Sequence, residues 1–307
     1  MDARILADPN QAASITRAAS KQTYLTIRTL VDKDRIEDAY RAYAYFRWVD
    51  DWIDCRVCPK AERLAFIKHQ QRLVDDCYRG VPLSGLAPEE CLLADLVQQD
   101  RDQNSGLYIY IRNMMHVMAF DANRRGRIIN QAELDSYIYW LASSVTEALH
   151  YFIGHDCASP QDPMRYVAVT GAHITHMLRD MREDVELGYY NLPREVAAAG
   201  RMAPWNFDSP AYLLWVEERV RAARACFRTG RAYLARVENL RCRIAGYAYI
   251  RRFEVVLDAI QHDHYLLRAQ YPERKSLRRR GEMVAWALWM AFRDHQSYPV
   301  SAVDQVG

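Results

Sequence analysis

Helical periodicity runs through nearly the whole chain. Apolar residues return every three to four positions, and the alternation of Val, Ile and Thr that marks strands is nearly absent. The pattern predicts helices over 12–31, 34–54, 60–79, 88–102, 105–124, 131–153, 160–186, 210–240, 242–270 and 276–293. Pro59 and the segment "LAPEE" supply helix starts, and "GHDCASPQDP" and "GYYNLPREVAAAGRMAPWNFDSP" supply the two longer connections. No Gly-, Ser- or Pro-rich linker divides the 307 residues, which suffice for one large core. The expectation is therefore an all-α chain with one domain over 1–307, a core over about 15–270 and a basic, apolar C-terminal helix within 271–307. A bundle of this kind offers a cavity between helices as its natural ligand site.

Charge and cysteine narrow the function. The 39 acids and 41 bases are mixed along most of the chain, which gives no global field for nucleic acid. The seven cysteines are irregularly spaced, and the one C-x-x-C, Cys55 to Cys58, has neither a second copy for zinc nor a strand–helix context for redox work. An odd count without an export signal suits a reducing cytoplasm. No stretch reaches the ~18 apolar residues of a membrane span.

Against this background "YFRWVDDWID", residues 45–54, stands out. Asp50, Asp51 and Asp54 follow Arg47 inside a segment otherwise built of aromatics, Val and Ile. "LRDMRED", residues 178–184, repeats the arrangement: Arg179 precedes Asp180, and Asp184 follows four later. On a helix, positions i and i+4 share a face about one turn apart, so each segment presents a carboxylate pair. Such pairs in a cavity repel and desolvate badly unless a cation sits between them. Oxygen-rich sites of this kind suit Mg²⁺, which is commonly shared with a substrate's phosphates, and Arg47 and Arg179 could grip those phosphates. The plainer alternative is that both acid runs are solvated helix faces.

Here the sequence resembles the squalene/phytoene synthase family. "AYAYFRWVDDWID" is similar to its first aspartate-rich motif and "THMLRDMREDVELGYYNLPRE" to its second. "SKQTY" with Arg35, the stretch 120–154 and "FEVVLDAIQHDHY" resemble further family segments in the family's order. The resemblance implies a single all-α isoprenoid-synthase bundle that binds allylic prenyl diphosphates through Mg²⁺ and couples two of them head to head. It implies Asp50, Asp54, Asp180 and Asp184 as metal ligands with Asp51 adjacent, Ser20, Arg35 and Arg47 as diphosphate contacts, and Tyr137 as a cavity tyrosine. Mn²⁺ is the alternative ion. Hydride from NADPH and loss of a proton are both open as the final step.

Four departures from the family pattern surround the second motif. His173 and His176 stand where Gln and Asn are usual. Tyr189–Pro193 replaces Arg-x-Tyr-Leu-Pro, and Phe253 replaces a tyrosine. His173, His176 and Asp180 fall on one helix face. They fit either a modified metal or diphosphate shell with a terminating base, or a pair of packed core histidines. The departures keep two rivals in view: a class I terpene cyclase on the same fold, and a non-catalytic assembly factor. "EALH", with Glu147 and His150, has di-iron spacing but no second copy, and "HDHY" reads as a helix end. Arg268, Arg274, Lys275, Arg278, Arg279 and Arg280 precede the apolar run 283–292. That pattern fits either peripheral attachment to an anionic membrane or a helix docked on the bundle.

Overall fold

The structure is a computed structural model that describes residues 9–55, 57–275 and 277–296. Its α-helices among those residues are α1 (Pro9–Ala19), α2 (Lys21–Leu30), α3 (Ile36–Ile53), α4 (Lys60–Arg79), α5 (Pro88–Gln99), α6 (Gly106–Arg124), α7 (Gln131–Phe152), α8 (Val167–Leu187), α9 (Arg194–Ala199), α10 (Pro210–Ala235), α11 (Leu240–His262) and α12 (Leu277–Gln296). The chain is all-α, as its periodicity predicts. One two-stranded parallel pair interrupts it, β1 (Arg127–Ile128) beside β2 (Tyr189–Tyr190), in the register Arg127 to Tyr189.

Local chemistry sets the helix ends. Gly80 and Gly188 close α4 and α8 in the left-handed conformation that a side chain resists. Ser209 caps α10 ahead of Pro210, and the Asn239 side chain accepts the Cys242 N–H at the start of α11. The predicted helix over 12–31 is broken at Ser20, whose backbone is extended and whose hydroxyl accepts the Thr23 N–H at 3.2 Å. The helix predicted from 160 starts only at Val167. Before it, buried Arg165 donates to the Ser159 hydroxyl, the Pro160 carbonyl and the Tyr233 hydroxyl, and these bonds hold the segment in a loop. A hydrogen-bonded turn at 236–237 separates α10 from α11, and His264 and Tyr265, both at positive φ, end α11 early.

The helices fall into two compact units: Met1–Arg125 with Ser143–His155, and Gly126–Ala142 with Asp156–Gly307. Helix α7 contributes to both. In the first unit Tyr45, Leu93, Leu96, Leu107 and Ile111 are fully buried. Each such side chain contributes about 1.5–3 kcal/mol by leaving water. A buried polar network joins α3, α4 and α5. The Tyr45 hydroxyl donates to Gln70 at 3.0 Å, Gln70 donates to Glu90 at 2.7 Å, and Glu90 also meets His69 at 2.8 Å and accepts the Ala87 N–H at 2.9 Å. The network is satisfied at every link, so it costs little to bury.

In the second unit α8 crosses α10 on small residues. A methyl group added at Gly230 would stand 2.6 Å from the Ala168 Cβ and 2.8 Å from its Cα, and one at Gly171 would stand 2.8 Å from the Cys226 Cβ. The backbones can approach this closely only without those atoms. Helix α12 packs on α11 through Ala287, Met290 and Ala291, and buried Arg243 donates to the Ala291 carbonyl at 3.3 Å.

Gly230→Ala therefore forces a backbone–backbone retreat. The expected cost is about 1–3 kcal/mol of stability, read as a lower Tm. Gly281→Ala, where nothing lies within 4 Å of the new methyl, should leave Tm unchanged or raise it. Equal Tm for the Gly230 variant and the parent would refute the close crossing.

Candidate active site

Each unit carries one of the aspartate motifs, and the two differ in electrostatic state. In the first unit α3 places Tyr43, Arg47, Asp50 and Asp54 along one side, with Asp54 as the residue that closes the helix. Arg47 meets Asp50 at 3.2 Å and pairs with Asp51 one turn on. That is too little positive charge for the acids present. Burial, then Asp54, push the Asp50 carboxyl up to about 7, and Asp121 and Asp51 add to the effect against the opposing pull of Arg47. Asp121 comes from α6, where Arg124 holds it at 2.5 Å.

Ser20 belongs to the same neighbourhood. Tyr43 lies beside it, with Ser20, Thr23, Arg47 and Asp50 among the groups that bear on its phenol. Ser20 is thus the cap of α2 and lies near Tyr43, one turn before Arg47 of the first motif. Arg35 makes its contacts elsewhere in the unit. Its guanidinium lies 4.3 Å over the Tyr151 ring, whose phenol also feels the charge of Asp100.

In the second unit the carboxylate of Asp180 is already matched. Arg179 reaches both its oxygens, one at 2.5 Å, and His176 Nε2 lies 2.8 Å from Oδ2. Burial alone would raise this carboxyl. The bonds from Arg179 and His176 outweigh it and hold Asp180 far below the usual carboxylate range. Asp184, one turn further along α8, accepts from the Asn191 amide at 2.7 Å. His176 keeps 47% of its side chain exposed, yet the surrounding protein depresses its pKa through desolvation, against the opposing pull of Asp180. His173, buried, continues the face. Its ring centroid is 5.2 Å from that of Tyr137 and 6.3 Å from that of His176, and His176 lies 6.4 Å from Phe253. Tyr249 stacks edge-on to Phe253 at 5.0 Å. A cavity of about 200 Å³ opens beside this face, lined by Arg179, Asp180, Glu183, Gln270 and Tyr271 among others.

The two histidines have different settings: His173 is packed among aromatics and His176 is committed to Asp180. Sequence reasoning did not single out Tyr43, Asp121, Asn191 or Tyr249 as site residues. Tyr43 was legible as the residue one turn before Arg47. Asp121 lies too far along the chain for spacing to connect it to Asp50. Among the described residues no three His, Cys, Asp or Glu side chains form a ready-made metal cage. Mg²⁺ does not need one, because it binds through one or two carboxylates with water and substrate phosphate completing the shell. The excess of acid around Asp50 fits a cation. The matched Asp180 fits one only once Arg179 or His176 gives way.

The squalene/phytoene synthase family model matches residues 16–281, most of the chain. A presqualene diphosphate synthase from Zymomonas mobilis is 29% identical over 187 residues, a match that spans 60% of this chain and 60% of that relative's length. A solved dehydrosqualene synthase in complex with a ligand superposes with a TM-score of 0.70 at 19% identity, covering 95% of this chain and 97% of that one. A squalene synthase, HpnC from Alicyclobacillus acidocaldarius, gives 0.68 at 16% identity over 85% and 95%. These two structures share the all-α fold. By the family match, and with both aspartate motifs in place on α3 and α8, the chain belongs to the squalene/phytoene synthase family.

Proposed function

We propose that this chain is a prenyltransferase that joins two allylic prenyl diphosphates, C15 or C20, head to head through a cyclopropylcarbinyl diphosphate. The family match across residues 16–281, which takes in both aspartate motifs, carries the reading. The Zymomonas mobilis relative, a presqualene diphosphate synthase by name, supports the cyclopropylcarbinyl step.

The roles proposed for the residues follow from their settings. Asp50 and Asp54, with Asp51 and Asp121 close by, would hold a divalent metal ion, and Asp180 with Asp184 would offer a second carboxylate pair. Mg²⁺, or Mn²⁺ in its place, supplies charge neutralisation for the leaving diphosphate when bound. Arg47 and Arg179 add fixed positive charge, Arg179 by turning from Asp180 to the substrate, and Ser20 donates a hydroxyl. Tyr137, Phe253 and Tyr249 give the allylic cation ring faces and keep water from it. His176, uncharged near neutral pH, is suited to take a proton from the product cation, and His173 holds the aromatic wall beside it. Arg35, engaged with Tyr151, reaches diphosphate only by leaving that ring.

Helix α12 supplies a reading for partners. Its inner face is docked, as one sequence alternative held, but its outer face carries Val284, Leu288, Trp289 and Phe292, all exposed. Arg293 lies 4.2 Å over the Trp289 ring. No helix among the described residues is long and apolar enough to cross a membrane. The side chains of Arg274, Lys275, Arg278, Arg279 and Arg280 lie outside the described set, as do residues 297–307. In sequence those five bases adjoin the apolar stripe. We propose that this face attaches peripherally to anionic lipid from the cytoplasmic side, where prenyl chains partition.

Three outcomes test these assignments. Incubation with C10, C15 and C20 diphosphates and Mg²⁺, with and without NADPH, should yield a coupled C30 or C40 product. A cyclised product from one diphosphate would move the chain to the cyclase rival, and no diphosphate release at all would move it to the non-catalytic one.

Asp50→Asn and Asp180→Asn should each lower diphosphate release by about a hundredfold or more. The metal-free Asp50 variant adds a pH signature. A carboxyl whose folded pKa lies at about 7 rather than 3.8 binds its proton more tightly when folded, so stability falls as pH rises between those values. Asn at 50 escapes this cost. The variant should match the parent near pH 4 and exceed it above pH 7 by about 1 kcal/mol or roughly 2–4 °C, a figure discounted for the exposed third of the side chain. Parallel Tm curves would refute the crowding of Asp50.

For α12, Trp289→Ser with Phe292→Ser should weaken binding to phosphatidylglycerol vesicles by about tenfold or more with an unchanged Tm. Undiminished binding would remove this face as the attachment site.

A further inference from the structure

We propose that Asn191 is a positioning residue for the second motif: its side-chain amide holds the carboxylate of Asp184 in the orientation in which it takes a divalent ion. The inference rests on the reading of Asp184 as a metal ligand. All the groups involved belong to the second unit.

Asp184 occupies the last turn of α8, three residues before its end at Leu187. The carbonyls at a helix C-terminus carry partial negative charge, so a carboxylate there is disfavoured by its own helix. A donor or a cation offsets that cost. Asn191 is such a donor. Its Nδ2 donates to Asp184 Oδ2 at 2.7 Å, and the residue is 2% exposed. A carboxylate only accepts, so the amide has to present its NH₂ group there. A bond to Oδ2 restrains the rotation of the carboxylate, and with it the direction of Oδ1. The amide is also neutral. It restrains Asp184 without opposing a cation, unlike the Arg179 guanidinium on Asp180.

A donor can orient its acceptor only if its own backbone stays still. Gly188 turns the chain out of α8 at a φ of 85°, and its carbonyl accepts the Gly126 N–H at 2.7 Å. Tyr189 and Tyr190 then pair with Arg127 and Ile128. Beyond Asn191, the Arg194 N–H bonds the Ile129 carbonyl at 2.9 Å, and Glu195 accepts the Gln131 N–H at 3.0 Å. Leu192 and Ile129 are fully buried. The chain is thus fastened on both sides of Asn191, and a short side chain on a fixed backbone has little rotamer freedom left. Asn191 stands where the family pattern has tyrosine, so the amide is a departure of this chain.

The test titrates Mn²⁺ into the full chain in the presence of inorganic diphosphate and reads bound metal by electron paramagnetic resonance. Asn191→Leu keeps the branched shape and removes the donor. It should weaken Mn²⁺ binding by about ten- to a hundredfold, the scale for losing an outer partner of a metal ligand. Asp184→Asn should weaken binding too. Adding Asn191→Leu to Asp184→Asn should then change nothing further, because the amide acts through that carboxylate. Asn191→Ser, whose hydroxyl stops short of Asp184, should behave like the Leu variant and replaces it if that chain does not fold. An Asn191 that only supports the fold would lower Tm in these variants and leave Mn²⁺ binding at the parent's value. That result would overturn the inference, and so would an equal loss of binding in the Asp184→Asn background. Mn²⁺ binding unmoved by Asp184→Asn would overturn the reading of Asp184 as a metal ligand, and a parent that binds no Mn²⁺ would overturn that reading for both motifs.

Discussion

A carboxylate surrounded by other carboxylates can lower its energy by taking a proton or by taking a cation. Asp50 is in that position. Burial and the charges of Asp54, Asp121 and Asp51 oppose its ionisation, and Arg47, half spent on Asp51, does not compensate. Helix α3 is fixed by Tyr45, whose hydroxyl is tied through Gln70 to Glu90 on α5. Burial and the charges around Asp50 push its carboxyl up to about 7, so a divalent ion at this position would compete there with a proton.

The second motif has the same spacing and the opposite solution. Asp180 is ionised because Arg179 and His176 surround it. A cation approaching Asp180 must compete with two internal partners, whereas one approaching Asp50 competes with a proton and one arginine. His176 makes this asymmetry specific to the chain, since it stands where the family usually has a neutral amide and its ring is committed to the aspartate. Diphosphate could draw Arg179 away, so substrate binding and the freeing of Asp180 would be one event.

Most of the helices were legible because each is written locally: an apolar stripe, a capping Ser or Asn, a closing Gly. The misreadings have equally local causes. Ser20 was read as helix interior, yet its hydroxyl is worth more as a cap accepting from Thr23. Residues 160–166 carry a helical pattern, but Arg165 is bonded to Ser159 and Tyr233 and the loop wins. The β1–β2 pair, two residues a side, is too short for any period to register. The aspartates of the site were legible from spacing. Asp121 was not, because its part in the charge balance depends on which helix packs beside α3.

Helix α12 meets α11 through Ala287, Met290 and Ala291 and turns its large apolar side chains outward. Alanine at a contact brings two helix axes close and leaves little room to swing. A bond from Arg243 to the Ala291 carbonyl fixes the remaining rotation. If the outer face rests on a lipid surface, α12 is then a stiff foot and not a tether. A tether would let the body tumble and would fix only its distance from the surface. A stiff foot fixes its tilt as well, so α8, α10 and α11 would meet every arriving prenyl chain at one angle.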